Sequence, residues 1–193
     1  MNVNYDFESG IATIDTDSNY YNYTSSIIKE MLKKINTKEN EFGPYIFDLG
    51  ANHEFLLFYA QEKSGKLDIK FTAYKLYSKI NYNINLIPCG SYNVNLINSS
   101  DYNEAYISIQ NNVLYYCSDA SRDFDIYSYK IDKEVDTGAE YIDLLKMKPT
   151  TLALPIIRIN SDLDDKCPFI LDDLLIFASN REGGYGGYDL WYS

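Results

Sequence analysis

The chain is poor in the residues that build metal and catalytic sites. It has one histidine, His53, and three widely spaced cysteines. A single histidine excludes a multi-histidine metal site within the chain, and any Ser-His-Asp triad would need His53 itself. That residue lies in GANHEF, before a strand, where a turn is expected. Cys117 lies in the apolar run LYYCS and is expected to be a small core residue. We expect no metal and no cofactor.

Long apolar runs and basic clusters are also missing. No run approaches the roughly 18 residues of a membrane span, and the start MNVNYDFESG has no signal-peptide pattern. The net charge is −11, which disfavours nucleic acid and anionic membranes because both bind clustered Lys and Arg. The sequence therefore predicts no transmembrane segment and no nucleic-acid partner, and a cytoplasmic location if the chain is complete.

Enzyme motifs are scarce as well. G-x-S-x-G and H-E-x-x-H do not occur. The run KSGK lacks the residues of a phosphate loop, and GGYGGYD precedes a strand rather than a helix, so both are interpreted as turns. Two carboxylates about 5–9.5 Å apart can catalyse glycoside hydrolysis. The clustered Asp residues of this chain are interpreted instead as hydrogen-bond acceptors in loops and turns; they are Asp162, Asp164, Asp165, Asp172 and Asp173. We expect a non-enzymatic protein.

A repeated pattern stands out against these absences. Three segments share one order of residues: LFYAQEKSGKLDIKFTAY (57–74), LYYCSDASRDFDIYSY (114–129) and LIFASNREGGYGGYDLWYS (175–193). Each has an apolar strand, a polar turn, an Asp (Asp68, Asp125 or Asp189) and an aromatic strand, which indicates a β-hairpin. The Asp is expected to accept hydrogen bonds from turn amides, and the turn glycines, including Gly183 and Gly184, to permit positive φ. Stacked hairpins would bury the aromatics, which favours radial repetition.

The third segment resembles the WD-like, TolB-type β-propeller repeat. The matching residues are Ser179, Asn180, Arg181, Gly183, Gly184, Tyr188, Asp189, Leu190 and Trp191. The second segment matches through Ser118, Asp119, Arg122, Asp125, Ile126 and Tyr127, and the first keeps Ser64, Gly65, Asp68 and Ile69. The resemblance implies a mainly β protein, a TolB-like β-propeller or a partial propeller, with about three recognisable blades, to which the helical spacing of apolar residues adds one short N-terminal helix.

The same resemblance implies a function and a location. Such propellers act as rigid binding modules and are often exported to the bacterial periplasm. We expect a binding scaffold of the cell envelope whose partner is a protein or an envelope glycan, with Arg122, Arg181 and Tyr185 as contact residues. Two alternatives remain open: the propeller portion of a carbohydrate- or peptide-processing enzyme, and a structural subunit of an envelope assembly.

Residues 1–40 are expected to form a strand and an amphipathic helix, and residues 41–193 the repeats, with hairpins near 55–75, 112–130 and 174–193. The helix is predicted over Lys29 to Lys38, after a Thr24, Ser25, Ser26 start. The signature Asp residues are 57 and 64 residues apart (125 − 68 and 189 − 125), against roughly 40–45 for an ordinary blade. Long strands are expected at 75–87, and a loop plus strand at 131–159.

Three blades are fewer than the four to eight or so of closed propellers. Three explanations stay open: the chain belongs to a longer protein, two chains complete one ring as a homodimer, or the disc is open with a covered edge.

Overall fold

A computed structural model describes residues 2–6, 11–15, 29, 31–49, 54–78, 84–135 and 137–193. His53 and the predicted helix start at residues 24–26 lie outside this part. Within it the chain is mainly β, and every strand pair is antiparallel. The mainly β expectation is confirmed.

The strands form a hairpin and three larger sheets, in each of which neighbours in sequence are neighbours in space. The hairpin is β1 (Asn2–Asp6) and β2 (Ile11–Asp15). The first sheet is β3 (Asn40–Asp48), β4 (Glu54–Lys63), β5 (Lys66–Ser78) and β6 (Ile84–Asn93). The second is β7 (Glu104–Gln110), β8 (Val113–Ser118), β9 (Asp125–Lys130) and β10 (Leu154–Pro155). The third is β11 (Asp165–Leu171), β12 (Leu174–Ser179) and β13 (Asp189–Tyr192).

The three predicted hairpins are β4–β5, β8–β9 and β12–β13. Asp125 and Asp189 open the second strand of their hairpins, while Asp68 is the third residue of β5. The long strands expected at 75–87 are the end of β5 and the start of β6. The repeated sequence pattern therefore marks the two middle strands of the first two sheets and the last two strands of the third.

Within the described ranges, two helical segments accompany the sheets. The first, α1, is described over residues 31–35, and its Ile35 packs on Leu57 and Tyr59 of the first sheet. The second, α2 (Gly138–Lys146), lies between β9 and β10, where a loop plus strand was expected. The prediction missed it, although Thr137 caps its N-terminus by accepting from the Glu140 N–H and Glu140 stands three residues on, as in a capping box.

The sheets pack face to face. Leu56, Phe58 and Phe71 of the first sheet are fully buried in one cluster with residues of the second, including Leu114. Ile126 of the second sheet packs in turn with Leu175 and Phe177 of the third. Burying a large apolar side chain contributes about 1.5–3 kcal/mol, so each sheet is stabilised mainly by its neighbour along the chain.

The first strands of the three sheets, β3, β7 and β11, lie in a row, with β7 in contact with both others. Each has a bulge at the same place, marked by a left-handed residue: Gly43 (φ 63°), Tyr106 (φ 53°) and Cys167 (φ 54°). The Tyr106 ring covers Gly43 so closely that a Cβ there would lie 2.8 Å from Tyr106 Cδ1. We call this row the inner strands.

Candidate functional site

A short motif precedes each inner strand and was missed in the sequence. Ile-Asn-Thr or Ile-Asn-Ser occurs at residues 35–37, 97–99 and 159–161, so that the three Asn residues are spaced 62 residues apart both times (98 − 36 and 160 − 98). In the second and third copies the Asn ends a helical turn, where its N–H donates to the carbonyl of Val94 or Ile156. This even spacing is the signal that defines the repeat.

The Asn side chains join one sheet to the next. Asn98 Oδ1 accepts from the Ile69 N–H (3.0 Å) and its Nδ2 donates to the Ile69 carbonyl (2.8 Å). Asn160 makes the same pair with Ile126, at 2.9 and 3.0 Å. Ile69 and Ile126 directly follow the signature Asp residues. Each bridge therefore supplies the acceptor for a buried backbone N–H, whereas the Ile69 and Ile126 carbonyls also accept from the N–H groups of Val94 and Ile156.

An acidic residue follows each motif near the start of the inner strand: Glu41, Glu104 and Asp165. Its carboxylate accepts from the backbone N–H of the preceding Thr or Ser, at 3.1 Å from Thr37, 3.1 Å from Ser99 and 2.6 Å from Ser161. Each connection between two sheets therefore contains an Asn that bonds to the previous sheet and an acidic residue that fixes the loop before the inner strand. We call this connection a junction.

Glu104 is the most buried glutamate at a junction, with 2% of its side chain exposed. It accepts from Ser118 Oγ and from Lys66 Nζ, each at 3.3 Å. Burial raises the pKa of Glu104 from 4.5 to about 7, while hydrogen bonds from Ser99 and Lys66 act in the opposite direction. The first junction therefore contains a carboxyl that titrates near neutral pH.

This carboxyl predicts a pH dependence. Because the pKa of Glu104 is raised in the folded state, the folded chain binds this proton more tightly than the unfolded chain, and its contribution to stability grows as the pH falls from above 7 towards 4.5. We expect Glu104→Gln to flatten this part of the profile, measured as urea midpoints at closely spaced pH values. Glu182→Gln, at an exposed turn residue, should follow the parent profile; if Glu104→Gln also follows it, the prediction is wrong.

Asp165 is fully buried and pairs with Arg181. The guanidinium also donates to the Ile159 carbonyl and to Ser179 Oγ, and it lies 4.9 Å from the Phe177 ring and 5.1 Å from the Trp191 ring. Arg181 was predicted to contact a partner. Its Nε and Nη2 groups and its flat faces contact residues of the third sheet and of the loop before it, and binding through Arg181 stays a prediction.

The turns of the three hairpins lie at the end of the molecule where the inner strands begin, since Glu41, Glu104 and Asp165 pair with the residues that precede those turns. We call this end the turn end. Arg122 is exposed there, with φ 120°. Tyr185 is fully exposed, and Tyr102 and Tyr188 are about half exposed. Of the three predicted contact residues, Arg122 and Tyr185 are thus presented to solvent.

The loops of the turn end are held by hydrogen bonds. Asn103 and Asp164 accept from the N–H groups of Leu67 and Phe124, at 2.8 and 3.0 Å, which ties each hairpin to the following sheet. Tyr188 donates to Asp164, and Lys166 donates to both. The N–H of Asn103, next to Tyr102, donates to the Asp119 carboxylate, and the Arg122 N–H donates to the Asp119 carbonyl, so the loops that carry Tyr102 and Arg122 are held as well.

The signature residues have distinct roles. Asp189 Oδ2 accepts from the Tyr185 N–H (2.7 Å), as expected of a turn acceptor, whereas Asp125 accepts from Ser121 Oγ and Asp68 from Lys66. Gly183 has φ 96°, but Gly184 does not have a positive φ, contrary to expectation. Gly184 is needed because a Cβ there would collide with the Asp189 carboxylate.

Cys117 is fully buried in β8, as predicted. Among the described residues no group of three or more His, Cys, Asp and Glu is placed to hold a metal ion. No helix in the described ranges is both long and apolar enough to cross a membrane.

No family model matches this chain, and no curated protein or solved structure matches it either. The support for the repeat and its junctions is therefore the sequence of this chain and the contacts between its residues.

Proposed function

We propose that the chain is a β-propeller-type scaffold that binds a protein or a glycan of a bacterial cell envelope through its turn end. Support for the propeller comes from two four-stranded sheets and one three-stranded sheet, each with its strands in chain order, joined by the same Asn bridge and with their first strands side by side. The envelope location is supported only by the TolB-type resemblance of the third repeat.

The observation that carries the binding function is a set of exposed tyrosines on fixed loops. Tyr185 is fully exposed, while its own N–H is bonded to Asp189. Tyrosine and arginine are enriched at protein interfaces because they offer a large contact area and a polar group at a low entropic cost. Tyr102, Tyr185 and Arg122 would meet a partner without a large loss of loop freedom.

The experiment combines a double variant, Arg122→Ala with Tyr185→Ala, and two probes. Purified peptidoglycan sacculi test the glycan by co-sedimentation, and a photo-reactive amino acid in place of Tyr102, which is exposed at the same end and unchanged in the double variant, tests a protein in intact cells. We expect one probe to bind the parent chain and the double variant to bind it at least tenfold more weakly, which corresponds to about 1.4 kcal/mol.

Leu152→Ala is the matched control, because Leu152 is 88% exposed and precedes β10, away from the turn end. It should bind like the parent. If neither probe reports binding, or if the double variant binds as well as the control, the turn end is not the binding surface and the proposal fails.

A further inference from the structure

The outer face of the third sheet is apolar, and several of its side chains are exposed. Its exposed side chains include Leu190 (80%), Tyr192 (81%), Leu171 (58%) and Phe169 (49%). The other face of this sheet packs on the second sheet through Leu175 and Phe177. An apolar patch of this kind is a common mark of an interface.

The first sheet shows what covers the equivalent face. In the register of the strands, Leu190 lies opposite Ala178 as Ile69 lies opposite Ala60, and Tyr192 corresponds to Phe71. Ile69 and Phe71 are buried to 1% and 0% exposure beneath the second repeat, and Asn98 bridges the Ile69 backbone. By the same register the N–H and carbonyl of Leu190 point away from β12, at the free edge of β13.

The first repeat carries the matching half of the junction. Asn36 occupies the place of Asn98 and Asn160, yet its side chain is exposed and makes no hydrogen bond within the described ranges, whereas the other two are half-buried. Ile46 is 62% exposed, and its counterpart in β7, Ile109, is 5% exposed against the first sheet. Thr37 and Glu41 already hold the loop in the junction geometry.

We infer that the chain associates head to tail with a second copy of itself, so that Asn36 of one copy bridges the Leu190 backbone of the other. Ile46 and Leu32 of the first repeat then cover the outer face of the third sheet. Such an interface joins different surfaces and closes into a ring or propagates. Two copies would bring together six described repeats, which lies within the range of about four to eight for closed propellers. The inference does not depend on binding at the turn end.

The test is the solution mass across a hundredfold dilution, by light scattering, for the parent chain and for Asn36→Ala and Leu190→Lys. The parent should approach twice 22.3 kDa at high concentration. Either variant should dissociate at least tenfold more readily, and an equimolar mixture of the two should associate better than either alone, because it keeps one intact interface. Since each copy carries a charge of −11, added salt should strengthen the association.

Two controls separate this inference from folding defects and from the proposed function. At a concentration low enough for the parent to be monomeric, both variants should unfold at the parent's urea midpoint, because both positions are exposed in the single chain. The Arg122→Ala, Tyr185→Ala variant should associate like the parent. The inference is overturned if the parent stays monomeric at every concentration or if both variants associate unchanged. It is also overturned if Asn36→Ala destabilises the monomer as much as Asn98→Ala does, since Asn36 would then be engaged within its own chain.

Discussion

Replacing Asn98 by alanine is expected to lower the free energy of unfolding by about 2–4 kcal/mol. The substitution removes both bonds to Ile69, and the buried Ile69 N–H is left without a partner. An orphaned buried backbone group costs roughly 1–3 kcal/mol, to which the lost packing adds. Urea denaturation with circular dichroism measures the loss.

Asn36→Ala is the control for this prediction, because the same residue type in the same motif is exposed there. In the monomeric chain, at low concentration, a change within about 0.5 kcal/mol is expected, as for most surface substitutions. Asn160→Ala should resemble Asn98→Ala, since its two bonds to Ile126 have the same geometry. If all three variants were equally stable, the Asn bridge would not be what joins the sheets.

Arg181→Met is expected to destabilise the chain by about 2–4 kcal/mol. The buried Asp165 carboxylate would lose its only cationic partner among the contacts described for it. Removing one member of a buried ion pair costs roughly 3–5 kcal/mol; we expect less because the Arg181 side chain is 22% exposed. Thermal and urea unfolding would measure the loss.

The double variant Arg181→Met, Asp165→Asn tests the cause. Asparagine keeps an acceptor for Ser161 but carries no charge, so the double variant should recover part of the stability lost in Arg181→Met. If Arg181→Met were as stable as the parent, the guanidinium would be free to serve a partner, and the contact role predicted for Arg181 would regain support.

The hairpins were predictable because their signal is local. An apolar strand, a turn, an Asp and an aromatic strand follow one another within about 20 residues, and hydrophobic alternation with turn residues is what such prediction uses. Cys117 was placed correctly for the same reason, since its neighbours are apolar.

The junctions were not predictable in this way. Asn98 bonds to Ile69, which lies 29 residues earlier, and nothing local distinguishes it from the many other Asn residues. The signature Asp residues indicated repeats of unequal length, because the hairpin loop that precedes each Asp differs in length. The Ile-Asn-Ser/Thr motif recurs every 62 residues and shows that the repeats are equal. The helix α2 was overlooked because its amphipathic pattern is only nine residues long and is followed by Pro149 and Pro155, which indicated a loop. The partial burial of Arg181 depends on rings that only the folded third sheet assembles.

The bulges of the inner strands carry a consequence for how the repeats can diverge. A side chain at position 43 would strike the Tyr106 ring, so glycine in one repeat is the condition for tyrosine in the next. The residues at the bulge positions of neighbouring repeats are therefore in contact, and a larger residue in one repeat requires a smaller residue in the other. The repeats of the inner row are consequently not interchangeable, because moving one of them would bring its bulge residue against a neighbour of unmatched size.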